Sequence, residues 1–113
     1  MLIQIKNKTN NSIIFQHDED NNTLKKTLEL AVSQNVNLTN ADLKFSDLQG
    51  ATLSGGNFTS ADFLYSNMKN CSLTNCNFSN VIFKFVNLNG ANMSNSNRTN
   101  SEFEKCDTSN LIL

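Results

Sequence analysis

Proline and tryptophan are absent from this chain, tyrosine and histidine occur once each, and only four glycines stand among its 113 residues. A lone histidine excludes a paired-imidazole zinc site within one chain. Charged residues make up 17%, below the usual quarter, and the formal net charge is −1 with no long run of either sign. Binding to nucleic acid through phosphate neutralisation needs clustered Lys and Arg, so it is not expected. A strongly acidic surface is equally missing. No apolar run approaches the roughly 20 residues of a membrane span, and the first residues lack the apolar stretch of a signal peptide. The three cysteines are an odd number with no zinc-type doublet, so free thiols in a reducing cytoplasm are expected. Without an export signal, Asn-x-Ser/Thr triplets such as Asn57-Phe58-Thr59 carry no weight as glycosylation sites. Nor is there a nucleophile elbow, a Gly-rich phosphate loop or an acid–base pair beside a reactive group. The expectation is no catalytic residue, no metal, no cofactor and no small-molecule substrate.

What the chain does have is asparagine in excess and a strict period. From residue 36 onward it falls into fives. The middle position holds Leu38, Leu43, Leu48, Leu53, Phe58, Phe63, Met68, Leu73, Phe78, Phe83, Leu88 and Met93, breaks at Arg98, returns at Phe103, breaks at Thr108 and closes on Leu113. Two positions earlier sits something compact, for example Ala41, Ser46, Ala51, Gly56, Ala61, Cys71, Cys76, Val81 or Cys106. A helix would spiral such residues around all its sides, and a strand would send alternate ones into water. All can face inward only if the chain turns a corner every five residues. The pattern over 36–113 resembles the pentapeptide-repeat family. That resemblance implies a mainly β fold, a right-handed quadrilateral parallel β-helix of about four coils. Stacked coils would share one core, as in other solenoids. The cysteines occupy the compact inward slot and read as small buried apolar residues.

Residues 1–35 form a different region. The segments 2–6 and 12–16 read as two strands joined by a polar turn over 7–11. Helical spacing follows over 23–34, with Leu24, Leu28, Ala31 and Val32 on one face, Asn22 or Thr23 as N-cap, and Asn35 as terminator. Some pentapeptide-repeat proteins begin with a similar lead-in. A β-hairpin and one α-helix would cap the first coil, whose ladder edge would otherwise stay open. Asp18, Asp20, Asn22 and Glu29 have partial calcium-loop spacing, but Thr23 stands where the sharp turn needs Gly. At the other end Leu111 and Leu113 fit inward slots and Ile112 points out, leaving an apolar edge. Related proteins pair end to end through such coils, and a homodimer is expected here.

Residues twenty apart should lie above one another, about 4.8 Å apart. One face then gathers Asp42, Lys44 and Phe45; Asp62, Leu64 and Tyr65; Ile82, Lys84 and Phe85; Glu102, Glu104 and Lys105. The remaining faces are mostly Asn, Ser, Thr, Gln and Gly. Phe45, Tyr65 and Phe85 form a column beside Leu64 and Ile82, with Lys44 and Lys84 at its flank. An apolar patch rimmed by charge is the mark of a protein-binding surface. The hairpin face of Ile3, Ile5, Ile13 and Phe15 folding back over Phe45 is an alternative, as is plain ring stacking between coils. Arg98, the inward charge, is expected to mark a local departure near the exposed end; reaching solvent or the dimer seam, or meeting Glu102 or Asp107, are alternatives.

These readings make the chain a non-enzymatic interaction module with an unidentified protein partner. Two others stand beside it. Some pentapeptide-repeat proteins imitate DNA and bind type II topoisomerases, on rods with acidic sides. Residues 36–113 carry six acids and five bases, a near balance. The third reading is a structural spacer.

Overall fold

The computed structural model describes all residues, 1–113. Strands β1 (Leu2–Lys6) and β2 (Ile13–Asp18) pair antiparallel, with Ile5 opposite Phe15 and a register shift between Ile5 and Lys6. The second strand runs further than the sequence predicts because Leu2 and Ile3 pair with Asp18 and His17. Asn11, at φ 62°, closes the turn. Helix α1 (Leu24–Ser33) starts at Thr23, whose side chain accepts from the Lys26 N–H at 3.1 Å. Asn22, the other N-cap candidate, is instead a buried tie. Its Nδ2 donates to the carbonyls of His17 and Met1 at 3.0 and 3.3 Å, and its Oδ1 accepts from the Thr23 N–H and the Thr27 hydroxyl. A buried amide is tolerated only when satisfied on both sides. Asn35, at φ 57°, turns the chain out of the helix.

Beyond the helix the chain winds in square coils. Parallel bridges join residues twenty apart on every side, for example Asn37 to Asn57, Asp42 to Asp62, Asp47 to Asn67 and Thr52 to Ser72. One coil is therefore four fives. On one side two short strands form as well, β3 (Ile82–Lys84) and β4 (Glu102–Glu104), paired in parallel. The central residues Leu38 to Met93 are all buried, as are Ala41, Ala51, Ala61, Cys71, Cys76, Val81, Val86 and Ala91. Each large residue contributes roughly 1.5–3 kcal/mol on burial. Inside, Phe58 stacks on Phe78 and Phe63 on Phe83, with edge contacts between neighbouring sides. Gly56 is required because a Cβ there would overlap the Phe58 ring.

Every coil side ends on a residue of positive φ, from Asn40 (62°) through Gly50 (73°) to Asn110 (59°). The N–H after it often closes a turn onto the central carbonyl, as from Ala41 to Leu38 at 3.0 Å. That is the pattern of a type II turn, which demands a left-handed third residue. At two corners a hydroxyl from the next coil replaces this bond. Ser66 Oγ accepts from the Ser46 N–H and donates to the Leu43 carbonyl; Ser96 Oγ does the same between Cys76 and Leu73. The thiols of Cys71, Cys76 and Cys106 donate likewise to the carbonyls of Leu48, Leu53 and Phe83. Compact slot residues thus carry a hydrogen-bonding duty as well as a size limit.

The N-terminal elements sit on the first coil's open edge. The Lys6 carbonyl accepts from the Asp42 N–H at 2.8 Å, the Lys8 N–H donates to the Asn40 carbonyl at 2.8 Å, and Glu29 Oε2 accepts from the Thr52 N–H at 2.8 Å. Glu29, read above as a partial calcium ligand, is a backbone cap. The hairpin covers an edge, not Phe45.

Arg98 does not distort the last coil. Its neighbour Asn97 still bridges to Asn77, and its carbonyl accepts from the Ser101 N–H at 3.0 Å. The expected departure is absent: the ladder is intact beside a half-buried Arg98 side chain. No ion pair joins it to Glu102 or Asp107, and its Nε has no partner.

Burial pushes the Cys71 thiol up to about 11 from 9.0. The folded chain therefore keeps a proton that the unfolded chain loses. Stability should be flat below pH 9 on this account and fall between about 9 and 11. Denaturant midpoints measured across that range should show a shallower fall for Cys71→Ala, since Ala already fills this slot at four corners (Ala41, Ala51, Ala61 and Ala91). An unchanged slope would contradict the assignment.

Candidate interaction surface

The residues of the aromatic face arise from three positions of each five. The residue before the central one caps the corner locally: Asp42 Oδ1 accepts from the Lys44 N–H at 3.2 Å, and Asp62 Oδ1 from the Leu64 N–H at 3.0 Å. Elsewhere Asn does the same job, as from Asn57 to the Thr59 N–H at 3.2 Å. Ile82 has no such oxygen, and its segment is extended as β3. Asp62 and Ile82 form no bridge, the one rung missing from the four ladders. A cleft of about 220 Å³ lined by Lys8, Ala61, Asp62, Asn80 and Ile82 lies there.

Next come the flanking cations. Lys44 Nζ sits 2.9 Å from Asp42 and 3.9 Å from Asp62. The hydrogen bond to Asp42 raises its pKa against a smaller opposing effect of desolvation, with lesser Coulombic contributions from Asp42 and Asp62. Lys84 and Lys105 stand 5.8 and 5.4 Å from the centre of the Phe85 ring, within cation–π reach. The sequence placed Lys105 on this face without assigning it to the binding set; its spacing from Phe85 was the available signal.

The column itself occupies the corner position. Phe45 stacks on Tyr65 at 5.6 Å and 7°, and Tyr65 on Phe85 at 4.7 Å and 3°. Phe45 is 68% exposed, Tyr65 53% and Ile82 49%, while Phe85 and Leu64 are half-buried. The column is thus stacked throughout and exposed at Phe45 and Tyr65. All three hold left-handed backbone, at φ 59°, 58° and 54°. Bulky residues rarely adopt it, and the conformation costs roughly 1–2 kcal/mol each. Corners elsewhere use mostly Asn or Gly, which avoid most of that cost. Stacking returns about 0.5–1.5 kcal/mol per pair. At the far end Leu111 is half-buried, Ile112 pairs with Asn92 and is 52% exposed, and Leu113 is 57% exposed at the open edge.

This geometry has known counterparts. Residues 37–75 and 71–107 match pentapeptide repeats in eight copies. The chain belongs to the pentapeptide-repeat family. Its repeats form the right-handed quadrilateral β-helix of that family. HetL from the cyanobacterium Nostoc sp. strain PCC 7120, a pentapeptide-repeat protein involved in heterocyst differentiation regulation, is similar at 22% identity and TM-score 0.67, over 70% of this chain and 37% of its own. Rfr23 from Cyanothece 51142 matches at 22% identity and TM-score 0.42, over 63% of this chain and 52% of its own. A pentapeptide-repeat protein from the Arabidopsis thaliana thylakoid lumen matches at 21% and 0.37, over 66% and 59%. The chain therefore spans little more than a third of HetL and less than two thirds of the other two. No curated protein is a significant match. No helix is long and apolar enough to cross a membrane.

Proposed function

We propose that this pentapeptide-repeat chain is a non-enzymatic interaction module that presents Phe45, Leu64, Tyr65, Ile82 and Phe85, flanked by Lys44 and Lys84, to a protein partner. One observation carries the reading. Three adjacent aromatic rings, two of them exposed and the third half-buried, stand at corners whose backbone favours Asn or Gly. Strain of this kind at an exposed site points to function more readily than to packing. A preformed face also loses little freedom on binding. The near balance of six acids and five bases over 36–113 gives no support to imitation of DNA. The same reading assigns the open edge at Leu111, Ile112 and Leu113 to a second copy of the chain.

Replacing all three rings with Asn removes the column and suits the corners, so Phe45→Asn/Tyr65→Asn/Phe85→Asn should keep the circular dichroism spectrum of the parent. In affinity capture from bacterial lysate, this variant should lose a protein that the parent retains. Equal capture by both would overturn the assignment of the face. Sedimentation should show a dimer that becomes monomeric in Ile112→Lys/Leu113→Lys. A parent already monomeric at high protein concentration would remove the second copy.

A further inference from the structure

The aromatic column is closed at one end and open at the other. Below, Lys105 stands against Phe85. Above, Phe45 has Tyr65 on one side, and no aromatic ring or cation covers the other. Twenty residues before Phe45 the chain is already in α1, at Lys25, so the row that would supply another ring does not exist. In its place lies the largest cleft of the molecule, about 580 Å³, lined by Thr23, Leu24, Lys25, Phe45, Ser46, Asp47 and Gln49.

The walls decide what chemistry fits. Lys25 and Asp47 face the cleft with opposite charge, and neither is in an ion pair. Lys25 Nζ lies beside Gly50, not over the Phe45 ring. A cation stacked on Phe45 would meet Lys25 and the positive end of α1. An anion would meet Asp47. A neutral ring meets neither penalty, and Leu24 adds apolar wall. Asp47 Oδ1 accepts only the long 3.3 Å bond from the Gln49 N–H, which leaves its carboxylate free to accept a further donor. The rings already present show the required spacing, 4.7–5.6 Å between the centroids of near-parallel rings.

Resting on the interaction reading, we infer that this cleft receives a tryptophan side chain of the partner protein, stacked on Phe45 as the next ring of the column with its indole N–H directed to the Asp47 carboxylate. Indole supplies the largest neutral ring among side chains and a donor at its edge. The column is then the surface along which the partner lies, and the cleft is its anchor pocket.

The chain has no tryptophan of its own, so indole fluorescence reports the probe alone. The blocked peptide acetyl-Gly-Trp-Gly-amide, titrated with the full chain, should give a saturable blue shift. Phe45→Asn should weaken it about tenfold, the ratio equivalent to one good aromatic pair. Asp47→Asn should weaken it also, whereas Asn75→Gly, at a left-handed corner on another side of the coil, should leave it unchanged. No saturable shift, or equal loss from Phe45→Asn and Asn75→Gly, would overturn the inference. So would displacement of the indole by acetyl-Gly-Arg-Gly-amide, which would assign the cleft to a cation. Any of these three failures leaves the interaction reading to be decided by lysate capture with the triple variant.

Discussion

A left-handed residue at every fifth position is the constraint on which the rest of the molecule depends. It bends the chain so that each bulky central side chain meets the same interior, and it brings the N–H of the next segment back to close the turn. The twenty-residue rungs follow, since four such bends return the chain above itself. The cost of the bend explains the composition. Asn and Gly tolerate left-handed backbone better than other residues, and they hold most corners. Asparagine does a second job one position before the central residue, where its Oδ1 accepts from the backbone two residues on, as from Asn97 to the Thr99 N–H at 3.0 Å.

Against that background the aromatic corners are exceptions with consequences. Phe45, Tyr65 and Phe85 accept backbone strain, the first two exposed to solvent and the third half-buried, compensated in part by stacking at 5.6 and 4.7 Å. Their neighbours are exceptions too. Ile82 gives up the local cap that Asp42 and Asp62 make, and the ladder loses a rung beside it. The departures from the repeat rule gather on one face, where local consistency has been exchanged for surface chemistry.

The period of five made the coil legible in the sequence, because only a square turn sends Leu38, Leu43, Leu48 and their successors inward together. The hairpin and helix were legible through Ile3, Ile5 and Leu28, although β2 runs to Asp18 because its extent depends on pairing with Leu2. The corner strain was visible in principle, since Phe45, Tyr65 and Phe85 share a position with Asn40, Gly50 and Asn70. Other features were out of reach. Asn22 as a buried tie needs His17 and Met1 brought together in space. The Ser66 and Ser96 relays span two coils, and nothing local distinguishes those serines from Ser101. For Arg98, half-burial without an ion pair to Glu102 or Asp107 depends on where the neighbouring coils place their side chains.

Inserting a second copy of residues 56–75 after Asn75 tests the central claim most directly. A whole added coil keeps every face in register and lengthens the stack, so the account predicts a cooperative transition at a higher unfolding temperature than the parent. A copy shortened by two residues should rotate the lower coils off their ladders and lower that temperature. Equal tolerance of the two insertions, or a lower transition for the full coil, would contradict a structure built on four five-residue turns.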